Sequence, residues 1–86
     1  LSKHFHFTTA NDEAGADGPA TLCGINVNSG AASAVVTVYN NTSAAAPTVA
    51  VIDASVEGSY DFHYLRLSNL WVKLTAGNAD VTVLYE

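Results

Sequence analysis

Eighty-six residues are enough for one domain, and a domain of that length buries only about two-thirds of the surface its unfolded chain exposes. Eight acidic residues face three basic ones, Lys3, Arg66 and Lys73, for a net charge of -5. Such a balance repels phosphate backbones and anionic lipid, and argues against nucleic acid and membrane as partners. No apolar run approaches the ~20 residues of a membrane span. The single cysteine, Cys23, excludes an intrachain disulfide and leaves the redox compartment open. With no metal-ligand cluster evident in the sequence, oligomerisation is the remaining supplement to a small core. No basic segment followed by an apolar one opens the chain, so no secretory signal is expected; a start at Leu1 suggests processing or trimming.

Abundant alanine, valine and threonine with sparse charge suit pleated, half-buried surfaces, and no stretch keeps a helical period. The expected class is all-β. Residues 3–9 alternate Phe5 and Phe7 against His4 and His6 and form the first predicted strand. Residues 11–19 are polar, acidic and glycine-containing, and are expected to form a loop or linker. A second strand is predicted over 21–28, with Cys23, Ile25 and Val27 on one buried face, ending in the turn Asn28-Ser29-Gly30. Residues 33–40 set Val36 and Val38 against Val35, Thr37 and Tyr39. A loop of small residues then leads through Pro47, at a strand start, into residues 48–53, where Val49 and Val51 oppose Ala50 and Ile52. After Glu57-Gly58-Ser59, residues 60–67 are expected to place Tyr60, Phe62 and Tyr64 on one side. Residues 69–75 turn Leu70, Val72 and Leu74 inward and Trp71 and Lys73 outward, and residues 80–85 align Val81, Val83 and Tyr85.

Seven to eight short antiparallel strands with turns between them predict a small β-sandwich, jelly-roll or immunoglobulin-like. Residues 1–19 read as an N-terminal strand or arm with an acidic linker, and residues 20–86 as the sandwich domain. The arm would complete a neighbour's sheet by strand addition; an ordinary first strand with a long loop is the alternative.

Candidate chemistry is thin. His4 and His6 share a strand face, and a third metal ligand would have to come from His63 or an acid. Surface histidines are the simpler reading. Asp12, Glu13 and Asp17 sit in a glycine-containing segment but lack the spacing of a calcium loop. Ser59, Asp61 and His63 have no nucleophile elbow around them. Cys23, amid apolar residues, reads as a buried core thiol. Gly15 and Gly18 lack the companions of a phosphate loop, and Asn40-Asn41-Thr42-Ser43 holds two overlapping glycosylation triplets that matter only in a secreting eukaryote. No catalytic residue, cofactor or metal ligand is assigned, and an enzyme is not expected.

The aromatic residues are the better lead. Trp71 is out of phase with Leu70, Val72 and Leu74, and tryptophan and tyrosine are enriched where proteins meet. Phe5, Phe7, Trp71 and Tyr85 are the residues expected at an interface.

Residues 25–43, running from Ile25-Asn26-Val27-Asn28 to Asn40-Asn41-Thr42-Ser43, resemble segments of small virion proteins of tailed phages. So do Ala50-Val51-Ile52-Asp53, Tyr64-Leu65-Arg66-Leu67-Ser68-Asn69-Leu70-Trp71-Val72 and the closing 79–86. The resemblance covers about three-quarters of the chain, from Cys23 onward, in rhythm rather than in a signature motif. It implies a capsid decoration (cement) protein, a homotrimer on the capsid surface of the virion, with the major capsid protein as partner. Two other readings stand beside it: a tail fibre, collar or baseplate module, and a carbohydrate-binding sandwich using Trp71, Tyr60 and Tyr64.

Overall fold

The computed structural model describes residues 3–16 and 18–86, and among these the regular elements are eight β-strands and no helix. They are β1 (Lys3–Phe7), β2 (Glu13–Gly15), β3 (Ala20–Ser29), β4 (Val35–Tyr39), β5 (Thr48–Asp53), β6 (Gly58–Leu67), β7 (Trp71–Ala76) and β8 (Asp80–Tyr85). Two four-stranded antiparallel sheets result, in the orders β1-β8-β3-β6 and β2-β7-β4-β5.

The pairings β1·β8, β2·β7, β3·β6 and β4·β5 match first strand to last, second to seventh, and so inward. The chain is therefore one long antiparallel hairpin wrapped into two layers, with β3·β8 and β4·β7 closing the wrap. That connectivity is a jelly roll, which decides between the two sandwiches expected.

Period-two alternation aims one side of each strand at the space between the sheets. Phe7, Leu22, Ile25, Val27, Val81 and Val83 enter it from the first sheet. Val36, Val38, Ile52, Leu70, Val72 and Leu74 enter it from the second. Each such aliphatic side chain contributes about 1.5–3 kcal/mol when fully buried. No buried side-chain nitrogen or oxygen among the described residues lacks a hydrogen-bond partner.

β1 lies on β8 of its own chain and Phe7 is in the core, the placement of an ordinary first strand, the alternative to an arm. Three expectations need revision. The stretch predicted as a loop contains β2, whose Glu13, Ala14 and Gly15 lie opposite Lys73, Val72 and Trp71. Cys23 is half-exposed rather than core, because the register shifts between Leu22 and Gly24 and turns the thiol to the outer face. Finally, Tyr60, Phe62 and Tyr64 do not share a side. Tyr60 is the register partner of Ile25, Phe62 packs partly against the core, and Tyr64 is 69% exposed.

Candidate interaction surface

β5 and β6 end their sheets on the same side of the sandwich, joined by residues 54–57. The Tyr60 hydroxyl donates to the Asp53 carbonyl at 2.9 Å and ties the two edges together. The strip they form carries all the large apolar side chains exposed among the described residues, interleaved with the exposed Asp53, Glu57, Asp61, His63 and Arg66. Val51 and Val56 are 65% and 68% exposed, Tyr64 nearly as much, and Tyr60 and Leu65 about half that. Exposed large apolar side chains are thus concentrated on the two edge strands and their connection, Val51 on the outer face of the second sheet and Tyr64 on that of the first.

A distortion in β6 shapes the strip. Leu22 pairs with Leu65 and Gly24 with Asp61, so Phe62, His63 and Tyr64 stand opposite Cys23 alone. The excess is absorbed by His63 and Tyr64, at φ of 51° and 58°, a left-handed conformation rare for residues with a Cβ. The Asp61 carboxylate accepts the His63 backbone N–H at 2.7 Å and holds the bulge. A bulge in mid-edge interrupts the row of free backbone groups, so the strip offers side chains to a partner rather than a ladder for open-ended strand addition. Beside it lies a groove of about 340 Å³ lined by Cys23, Asn26, Tyr60, Asp61, Tyr64 and Leu84. Partial burial, and then the carboxylates of Glu86 and Asp61, push the Cys23 thiol above its ordinary pKa.

The residues expected at an interface divide. Phe7 is buried, and Phe5 stacks on Tyr85 with ring centroids 4.5 Å apart, both packed against the core. These three fasten β1 to β8, Phe7 inside and Phe5 and Tyr85 partly exposed. Trp71 points outward from the second sheet, half-buried. Its Nε1–H donates to Glu13 Oε1 at 2.8 Å, and its benzo ring occupies the space a Cβ on Gly15 would fill, 2.2 Å from Cε3. Tyr60 and Tyr64 belong to the first sheet, so they form no common stacking surface with Trp71.

The outer face of the first sheet is polar. His6 Nε2–H donates to Asp80 Oδ1 at 2.6 Å, and Asn28 Nδ2 donates to Asp80 Oδ1 and Thr82 Oγ1. The His6 bond, and then that of Asn28, hold the Asp80 carboxyl below its usual range. Ser55 does the same for Asp53 through its hydroxyl and its N–H. Among the described residues no three of His, Cys, Asp and Glu gather as metal ligands. Asp12 instead accepts the N–H groups of Thr8 and Thr9, Glu13 holds Trp71, and Asp17 lies outside the described residues. His63 Nδ1 is 3.6 Å from Asp61 Oδ2, both widely exposed, an arrangement that orients no nucleophile. Among the described residues no helix is long and apolar enough to cross a membrane.

No protein-family model, no curated protein and no solved structure matches this chain. The strip along β5 and β6 was not singled out from sequence. Its signal was Val51 and Tyr64 standing out of phase with the buried Ile52 and Leu67 of their own strands.

Proposed function

We propose that this chain is a structural protein of a tailed-phage virion, a capsid decoration protein that self-associates as a homotrimer and binds the major capsid protein. The observation that carries this reading is the open β5–β6 edge, with Val51, Val56, Tyr64 and Leu65 exposed along one side of the sandwich. The resemblance of residues 25–43 and 64–72 to small virion proteins supports it independently. The mechanism is mechanical. Apolar side chains on the strip are covered by neighbouring subunits, and contacts made only in the assembled shell lower the free energy of that shell by mass action. Many copies acting together turn modest single contacts into a large total.

The test places charge on the strip. Val56→Asp and Tyr64→Asp alter exposed side chains and leave the core intact, so their thermal midpoints stay near the parent's. Mixed with shells lacking this chain, the double variant is expected to show at least about a tenfold loss of affinity, near 1.4 kcal/mol. The parent is expected to sediment at three times the monomer mass. Unchanged shell occupancy by a folded double variant refutes the assignment of the strip.

A further inference from the structure

We propose that the outer face of the second sheet carries a carbohydrate site, with the Trp71 indole as a platform for a pyranose ring. It is centred on β2 and β7, toward the opposite edge of the second sheet from β5, and does not depend on the virion reading.

The indole is built into a fixed position by one neighbouring strand. Gly15 and Trp71 are cross-strand partners on the outer face, and Cε3 and Cζ3 of the benzo ring fill the place of the missing Gly15 side chain. The opposite edge of the ring system carries Nε1, which is bound to Glu13, two residues earlier on β2. Two edges of the ring system thus meet one strand, β2, and Trp71 remains partly exposed. Any residue but glycine at position 15 would lift it off that seat.

The surroundings match a sugar better than a protein partner. Glu13 and Lys73 lie side by side beside the platform, 3.9 Å apart and roughly a third exposed, offering an acceptor and a donor to ring hydroxyls. Tyr39 is the next residue across the sheet from Trp71. A pyranose presents C–H groups on its face, which stack on an apolar ring, and hydroxyls at its rim, which need polar partners. A tryptophan that anchors a protein contact is typically enclosed by apolar neighbours that exclude water. Here the neighbours are a carboxylate, an ammonium and a phenol. A shallow single platform binds weakly, and repeated copies on one particle would convert it to avid attachment.

Trp71 is the sole tryptophan, so its fluorescence reports directly on the platform. The parent is titrated with maltoheptaose, cellohexaose and chitohexaose, and the tagged protein is applied to a glycan array. The expected result is a saturable emission shift with at least one glycan class and an array signal for the same class. Trp71→Ala should abolish the array signal, and Trp71→Phe should weaken it about three- to tenfold, each retaining a cooperative thermal transition. Glu13→Gln and Lys73→Ala, which spare the aromatic ring, should weaken it as well. An absence of any saturable shift or array signal overturns the proposal, as does binding that survives in folded Trp71→Ala. Loss of shell occupancy in Trp71→Ala without glycan binding by the parent would give this face to a virion subunit instead, and also overturns it.

Discussion

His6 and Asp80 meet at 2.6 Å across the outer face of the first sheet and tie the beginning of the sandwich to its last strand. Asn28 joins them from β3, so three neighbouring strands converge on one carboxylate. Because the folded state holds Asp80 below its ordinary pKa, the stabilisation is complete above the usual carboxylate range. It fades as pH falls through the depressed value. Asp53, held down by Ser55, acts in the same direction. The thermal midpoint should therefore drop on acidification below about pH 4. Asp80→Asn should start lower at neutral pH and lose less across the acid range; parallel curves for the two proteins would contradict this role.

Truncation separates an integral first strand from a dispensable arm. Phe7 is 4% exposed, and Phe7→Ala should cost about 3–5 kcal/mol, a large share of the stability of a domain this small. Removing residues 1–8 takes β1 with it and should abolish the cooperative unfolding transition seen by circular dichroism. A truncated chain with a near-parental midpoint would show that the first sheet does not need β1.

Cys23 offers a local test of the bulge. Its thiol is half-exposed on the outer face, so Cys23→Ser should change stability by no more than about 0.5 kcal/mol. A core thiol replaced by a hydroxyl would cost about 1–3 kcal/mol. Since the thiol is held above its ordinary pKa, alkylation should be slow at pH 7 and accelerate only in alkaline buffer. Rapid labelling at neutral pH would contradict the environment described.

Gly77 sets the turn between β7 and β8. Its φ is +78°, and a Cβ there would come within 2.7 Å of the Ala34 Cα, a backbone atom that cannot swing away. Gly77→Ala should cost about 2 kcal/mol or more by combining backbone strain with this clash. Denaturant midpoints equal to the parent's would show that the turn rearranges freely.

Much of the sandwich was legible because alternation is a local signal. Leu70, Val72 and Leu74 point in and Trp71 and Lys73 point out, as their spacing predicts, and Val36 with Val38 and Val81 with Val83 behave alike. What was not legible depends on partners distant in sequence. Glu13-Ala14-Gly15 has no strand-like pattern of its own and becomes β2 only because β7 supplies its hydrogen bonds. Cys23 lost its inward place to a register shift that no glycine or asparagine in His63-Tyr64 announces, although those two residues absorb it. The open strip is a property of strand order. Val51 and Tyr64 become neighbours of an edge only once β5 and β6 are known to end their sheets.

The seat of Trp71 illustrates the same limit. Its outward direction follows from alternation, but the partnership with Gly15 and Glu13 needs the register of β2 on β7. An interface residue was expected at Phe7 for the same hydrophobic character that places it inside.

The assignment to a phage shell is tested most directly by counting this polypeptide in purified particles of the phage that encodes it, by quantitative mass spectrometry against the major capsid protein. Decoration of the shell predicts on the order of hundreds of copies per particle, in fixed ratio to that subunit. A handful of copies, or none, would contradict it.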